Sequence, residues 1–208
     1  MNAEYTQQII PVSARVQCTD GDGGSVTGLI VNPLACRLTH IVVQDYTVPP
    51  VEHLVPLALI TATTHDTVTL GCTLDTLAVL DPLAEERYIR STASEYEAFY
   101  AVDPFAEFEA EHIPLVTEHI APDELAIQRG AQVVANDGRV GEVIALIVER
   151  PSGGIRFILV WLGHWLTRHE QAIPIAAVER IDSDTLYLKL TRDQVATLPI
   201  LPLSSHYD

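Results

Sequence analysis

The stretch DGDGGS, residues 20–25, is the first place where closely spaced side chains suggest chemistry. Asp20 and Asp22 alternate as the carboxylates of an oxygen-rich calcium loop do. An EF-hand loop also needs further acidic ligands and a closing glutamate, and neither follows here. The sequence therefore predicts a plain turn at Asp20 and Gly21, without a bound metal.

Histidines beside glutamates are the next candidates for metal chemistry. His164 and His169 lie in WLGHWLTRHE, where they could approach each other and Glu170 in a hairpin, but no third ligand follows at a metal-site spacing. His112 and His119 flank a second acidic stretch, which leaves a surface metal site open as an alternative to solvated loop histidines. We expect no metal and no cofactor.

Nucleophilic and phosphate-binding motifs are absent from the sequence. There is no GxSxG elbow, and Cys18, Cys36 and Cys72 form no CxxC pair. The GDGG stretch lacks the lysine and the following helix of a phosphate-binding loop. The sequence thus predicts a protein that is not an enzyme and whose thiols are reduced.

Charge and hydropathy exclude several kinds of partner. The 208-residue chain carries 28 acidic and 12 basic residues, a net charge of −16, and is 48% hydrophobic. A polyanion without a basic stripe repels phosphate backbones and anionic lipids, so we expect no direct nucleic-acid binding. No apolar run approaches the ~20 residues of a membrane-spanning helix, and no secretory signal is visible. We expect no integral membrane segment and a cytoplasmic location.

An internal duplication dominates the sequence. CTDGDGGSVTGLIV, residues 18–31, is matched 117 positions later by ANDGRVGEVIALIV, and after one inserted residue HLVPLALI matches QAIPIAAV 118 positions later. The same register pairs the residues that we assign to structural turns, which are Asp20, Gly21 and Gly24 with Asp137, Gly138 and Gly141. Asp22 corresponds to Arg139, which again opposes a cation site. Such constant offsets predict two copies of one structural unit.

Each copy has the sequence pattern of about five short strands separated by turns. Glycine after Asp20 or Asp137 supplies the positive φ that a tight turn can need. Thr73 and Thr191 are suited to cap a short helix at the end of each copy. The pattern predicts a mainly β protein with two small barrels in tandem, at 1–83 and 123–208, each closed by a short C-terminal helix and packed around a pseudo-twofold axis.

The runs DGDGGSVTGLIVNPLACRLTHIVV and VPLALI resemble the PRC-barrel family, which includes the cytoplasmic part of a photosynthetic reaction-centre subunit and a domain of a ribosome maturation factor. The resemblance covers most of 12–83 and 123–200. It implies a small protein-binding, scaffolding or self-associating module. It also implies two alternatives, a peripheral accessory of a reaction-centre-like electron-transfer complex and a ribosome-assembly factor that contacts ribosomal proteins.

Residues 84–122 form an acidic connector that is rich in aromatic side chains. Aromatic residues are poorly suited to a solvated tether, so we expect them to be buried against something. They either strap across the two barrels or dock on another chain. Prolines at 104, 114 and 122 predict an irregular connector. The interface candidates in this segment are Tyr96, Phe99, Tyr100, Phe105 and Phe108.

Both tryptophans of the chain lie in WLGHWLTRH, whose counterpart in the first copy is QDYTVPPV. Tryptophan on an exposed loop is typical of an association surface, although both rings could instead complete the barrel. We therefore add Trp161, His164 and Trp165 to the interface candidates. The high aliphatic content favours a homodimer or a higher homo-oligomer.

Overall fold

A computed structural model describes residues 6–90, 112–162, 169–182 and 184–198. The first half contains β1 (Thr6–Pro11), β2 (Arg15–Gln17), β3 (Asp22–Asn32), β4 (Arg37–Gln44), β5 (Glu52–Pro56), β6 (Ile60–Thr63), β7 (Thr67–Leu70) and α1 (Leu74–Ala78). The middle contains β8 (Ala84–Arg90) and β9 (His112–Glu118). The second half contains β10 (Leu125–Gln128), β11 (Gln132–Ala135), β12 (Gly138–Arg150), β13 (Gly154–Leu162), β14 (His169–Pro174), β15 (Val178–Ile181), β16 (Thr185–Leu188) and α2 (Arg192–Ala196). The prediction of a mainly β protein is confirmed.

The two halves have the same strand pairing. In the first half, β2 lies between antiparallel β3 and parallel β7, and the sheet continues from β3 to β4 and β5. In the second half, β11 lies between antiparallel β12 and parallel β16, and the sheet continues from β12 to β13 and β14. The duplication in the sequence is therefore also a duplication of topology.

The two halves exchange their first strands. Strand β1 pairs with β12, which places Ile10 opposite Leu146, and β10 pairs with β3, which places Ile127 opposite Leu29. All the described strands except β8 and β9 consequently belong to one sheet of 14 strands, and that sheet is not closed. The expectation of two closed barrels in tandem is not confirmed, because backbone hydrogen bonds cross between the halves and join them in one sheet.

A second reciprocal contact joins the turns that follow β3 and β12. The amide of Leu38 donates to the carbonyl of Gly153 at 2.9 Å, and the amide of Ile155 donates to the carbonyl of Cys36 at 2.8 Å. Gly153 has a φ of 73°, and a Cβ there would overlap the carbonyl oxygen of Leu38. Cys36 occupies the equivalent left-handed position with a φ of 49°. The contact therefore constrains the backbone on both sides of the pseudo-twofold axis.

One hydrophobic core spans both halves. It contains the exchanged pairs, so Ile10 packs in the same cluster as Leu146, and Ile127 in the same cluster as Leu29, all four with no measurable exposure. Alternate residues of the same strands form two smaller clusters on the outer sheet faces, one around Ile147 and one around Ile30. The exchanged strands thus contribute to the core that both halves share.

The aspartates of the two Asp-Gly turns hold the N-termini of the terminal helices. The carboxylate of Asp20 accepts from the amide of Leu74 at 2.9 Å, and that of Asp137 accepts from the amide of Arg192 at 2.8 Å. Thr73 and Thr191 are the N-cap residues of α1 and α2. Because a helix N-terminus leaves amides without intrahelical partners, each turn contributes one of the missing acceptors.

The glycines of these turns are required for different reasons. Gly138 has a φ of 138°, whereas in the first half the positive φ is at Gly24, with 121°, and not at Gly21 as expected. Gly24 and its counterpart Gly141 are needed for close approach, because a Cβ would overlap the carbonyl oxygens of Gln44 and Trp161 respectively. The shared constraint therefore lies at Gly24 and Gly141.

The two ends of the connector pair as a β-hairpin. Strand β8 runs antiparallel to β9, from Ala84 opposite Glu118 to Arg90 opposite His112. Pro114 lies within β9, opposite Tyr88, so the expectation that this proline keeps the chain irregular is wrong. Within the described ranges, no helix is long and apolar enough to cross a membrane.

Strand exchange predicts that the first strand of each half stabilises the whole molecule. We expect Ile10→Ala and Ile127→Ala each to lower the free energy of unfolding by about 2–5 kcal/mol, since each removes a fully buried side chain from the shared core. Chemical denaturation monitored by circular dichroism measures the loss. Gln7→Ala, on an exposed position of β1, is the control. Two separate transitions, only one of them shifted, would contradict a shared core.

Candidate functional site: a cleft between the halves and an apolar loop

Trp161 lies at the centre of a cross-strand row on the sheet surface. It is opposite Glu142 on β12 and opposite Glu170 on β14. Its side chain is half-buried, whereas the apolar residues in the next row, Leu159 and Ala172, are buried. The row therefore forms an acidic and aromatic border at one end of an apolar sheet face.

This border lines a cleft between the two halves. The cleft has a volume of about 410 Å³, and its apolar lining includes Ile9, Ile144, Ala145 and Leu159. The turn between β6 and β7 supplies His65 and Asp66 from the first half, opposite Trp161 and Glu170 from the second. A side chain with an apolar body and a polar tip would fit this combination.

Side-chain contacts of His65 link the two halves at the cleft. His65 Nδ1 lies 2.8 Å from Asp66 Oδ1, and His65 Nε2 lies 3.6 Å from Glu170 Oε1. The hydrogen bond with Asp66 and the negative charges of Asp66 and Glu170 raise the pKa of His65, although partial burial opposes the shift. Glu142, which also lines the cleft, contacts Arg139, with 2.7 Å between Glu142 Oε1 and Arg139 Nη2. Asp66 and Glu170 thus contact the imidazole of His65, and Glu142 contacts the guanidinium of Arg139.

A metal site finds no support among the side chains that the structure describes, since no three histidine, cysteine, aspartate or glutamate side chains are grouped to hold an ion. His169 is exposed on β14. His164 and the side chain of His112 lie outside the described residues. The structure therefore tests the metal site considered for His164 and His169 only at His169.

The loop between β4 and β5 is organised by one carboxylate. Asp45 Oδ1 accepts from the amides of Thr47 at 3.1 Å and Val51 at 2.9 Å and from the Thr47 hydroxyl at 2.7 Å. Asp45 Oδ2 lies 3.1 Å from Nε2 of buried His53. Partial burial opposes ionisation, but these hydrogen bonds outweigh it and lower the pKa of Asp45 to about 2.

The same loop presents apolar side chains to solvent. Tyr46 is 64% exposed and Val48 is 97% exposed, and Val51 is also exposed at the base of the loop. Most large apolar side chains of the described structure are buried in the core. A hydrogen-bonded loop that holds several apolar side chains in water is typical of a surface that binds another molecule.

His53 and Gln171 are equivalent residues with a shared role. Each is buried, and each lies beside the carbonyl that follows its terminal helix: His53 Nδ1 is 3.5 Å from Leu80 O, and Gln171 Nε2 donates to Leu198 O at 3.4 Å. Imidazole and carboxamide can both donate a hydrogen bond to the chain as it leaves the helix.

Cys18 and Cys72 are buried free thiols, and Cys36 is a half-buried one. Burial, together with neighbouring Cys72, raises the pKa of Cys18 to about 11. A thiol with so high a pKa is a poor nucleophile at neutral pH. The interior position of the first two cysteines accords with a structural role.

Of the interface candidates from the sequence, the structure describes Trp161 and brings it into the cleft. Trp165, His164 and the connector aromatics Tyr96, Phe99, Tyr100, Phe105 and Phe108 lie outside the described residues. Sequence reasoning missed the Tyr46–Val48 tip, although QDYTVPPV aligns with the tryptophan-bearing stretch. It also missed His65, because no local pattern places the turn between β6 and β7 beside β14.

Comparison with known families finds one match. Residues 129–195 match the PRC-barrel domain, which covers β11 to β16 and most of α2. No curated protein matches the sequence. The second half is therefore similar to a PRC-barrel domain over residues 129–195, and the first half reproduces the strand pairing of the second.

The contacts of His65 with Asp66 and Glu170 predict how the pKa of His65 responds to substitution of these two residues. Because its pKa in the folded state is raised above the usual 6.5, its stabilising contribution is fully present below the unfolded pKa and is lost as the pH rises through the folded pKa. We expect Asp66→Asn to lower the folded pKa more than Glu170→Gln does. Imidazole titration by NMR measures both, with exposed Glu179→Gln as the control. An unchanged pKa in Asp66→Asn would refute the assignment.

The Asp45 network predicts the rigidity of the apolar loop. We expect Asp45→Ala to lower the free energy of unfolding by about 1–3 kcal/mol at neutral pH, because it removes several acceptors and leaves buried His53 without its carboxylate. Asp45 has a lowered pKa, so its contribution is present above the unfolded value of 3.8 and is lost as the pH falls towards 2. Denaturant melts at several pH values measure this, with Asp184→Ala at an exposed position as the control. Equal losses in both variants would contradict the role of Asp45.

Proposed function

We propose that this chain is a non-enzymatic protein-binding or scaffold module made of two PRC-type barrel units in tandem. The match at 129–195 to the PRC-barrel domain supports this assignment for the second unit. The first half supports a second unit, because its strands pair in the same order and its sequence follows the same offset. We assign the units to 1–83 and 123–208 and the connector to 84–122, with the first strands exchanged between the units.

The apolar tip of the loop between β4 and β5 carries the proposal. Tyr46 and Val48 project into solvent from a loop that the Asp45 hydrogen bonds hold in place. Burying two such side chains against a partner is favourable, and a preorganised loop loses little conformational entropy on binding. The tip is therefore suited to enter a shallow apolar pocket on another protein.

The net charge of the chain restricts the kind of partner that it can bind. The net charge of −16 disfavours a phosphate backbone and favours a protein surface with basic residues around its apolar pocket. In the cleft, Glu142 faces Arg139, and Glu170 faces His65. These pairings support a structural use of the carboxylates, in keeping with a protein that binds without catalysing a reaction.

Self-association is part of the proposal. A second copy of the chain is one protein that the apolar tip could contact, and a closed homodimer would remove two such tips from water at once. The buried reduced thiols Cys18 and Cys72 suit the cytoplasm, where we place the protein.

A photo-cross-linking experiment tests the proposal. With a photoreactive residue at position 48, we expect discrete adducts with one or a few proteins, or with a second copy, in cells of the source organism. Tyr46→Ser should lower adduct yield roughly five- to thirty-fold, as the loss of a hot-spot side chain does.

Position 34 provides the matched control, because Leu34 is also apolar and 89% exposed but lies on the turn between β3 and β4. A photoreactive residue there should give none of the same adducts. The proposal fails if position 48 forms no discrete adduct, or if positions 34 and 48 form the same ones.

A further inference from the structure

The two halves have equivalent outer sheet faces, but the described residues that pack on these two faces differ. The first outer face consists of Ile30, Val42 and Leu54, and Leu83 and Ile120 pack on it from the chain that leads into and out of the connector. The second outer face contains the equivalent residues Ile147, Leu159 and Ala172, together with Ile9 and Ala145. The described hydrophobics packed against this second cluster are Ile144 and Phe157, both from the sheet itself.

Main-chain hydrogen bonds place the cover of the first outer face. After α1, the carbonyl of Asp81 accepts from the amide of Leu54 at 2.8 Å, and the amide of Leu83 donates to the carbonyl of Glu52 at 2.8 Å. Residues 81–83 thus run along the edge of β5 like a short added strand. This path brings the Leu83 side chain onto the apolar cluster.

The second half provides the same approach to its own face. Gln171 donates to the carbonyl of Leu198, just as His53 lies beside the carbonyl of Leu80. The chain therefore leaves α2 at the edge of β14, as it leaves α1 at the edge of β5. Ten residues follow, PILPLSSHYD, and the repeat offset of 118 aligns Leu201 with Leu83.

The chemistry of the aligned residues suits the same hydrogen bonds. Position 81 uses only its carbonyl, which Pro199 retains, and position 83 uses its amide N–H, which Leu201 has. The groups on β14 equivalent to those of Leu54 and Glu52 are the amide of Ala172 and the carbonyl of Glu170. A proline at 201 would have removed the donor, but the prolines are at 199 and 202.

We propose that the second outer face is a docking surface for this chain's own C-terminal segment, residues 199–203, with Leu201 seated over Leu159 and Ala172. The segment then runs beside Glu170, at the border of the cleft that Trp161 lines. It gives the second half the cover that Leu83 gives the first. This inference is independent of partner binding at Tyr46 and Val48, which lie in the other half.

Hydrogen–deuterium exchange of the full chain tests the docking. We expect Leu201→Asp to accelerate amide exchange in β14 about tenfold or more, because a carboxylate cannot replace a leucine on an apolar face. Ser205→Asp adds the same charge beyond the aligned residues and should leave β14 unchanged. Exchange in β3 and β4 should match the wild type in both variants, which shows that the fold is retained.

A second measurement adds a peptide in trans to the full-length Leu201→Asp variant. The peptide PILPLSSHYD should restore protection of β14, and the same peptide with Leu201→Asp should not. Equal protection of β14 in wild type and Leu201→Asp would overturn the proposal, since the connector or another protein would then be the cover. Protection that depends on protein concentration would also overturn it, because a second copy would then occupy the face.

Discussion

The reciprocal pairing of β1 with β12 and β10 with β3 is the constraint on which the rest of the structure depends. A unit of about seventy residues buries too little apolar surface to be robust alone. By placing Ile10 against Leu146 and Ile127 against Leu29, the exchange turns two marginal cores into one. The cleft follows from the same arrangement, because the sheet of one half and a turn of the other form its walls.

A second set of contacts fixes where the chain leaves each unit. Asp20 and Asp137 hold the beginnings of the terminal helices, while His53 and Gln171 lie at the carbonyls that follow those helices. The two members of each pair occupy equivalent positions, although His53 and Gln171 have different side chains. Histidine in the first half also contacts Asp45, so the same residue supports both the helix exit and the apolar loop.

The sequence predicted the features that repeat and missed those that depend on distant contacts. Constant offsets indicated the duplicated strands, the Asp-Gly turns and the threonine caps, since these depend on local backbone chemistry. The exchange of β1 and β10 was missed because strand propensity does not specify which half a strand joins. Pro114 was misjudged for a related reason, since a proline is accepted in a strand where its missing amide is not needed. His65 contacts Glu170 only because the fold brings two distant segments together, and no spacing along the sequence predicts that contact.

Joining two copies of one unit in a single polypeptide has a consequence for how each can change. In an assembly of two identical chains, every substitution would appear twice, and a favourable change on one side would be imposed on the other. Here Cys36 stands where its counterpart is Gly153, and the solvent-exposed Tyr46 loop stands where its counterpart holds a tryptophan. The covalent link also keeps the local concentration of each half high at any dilution. One side can thus specialise in recognition while the other preserves the framework, without loss of the partnership between them.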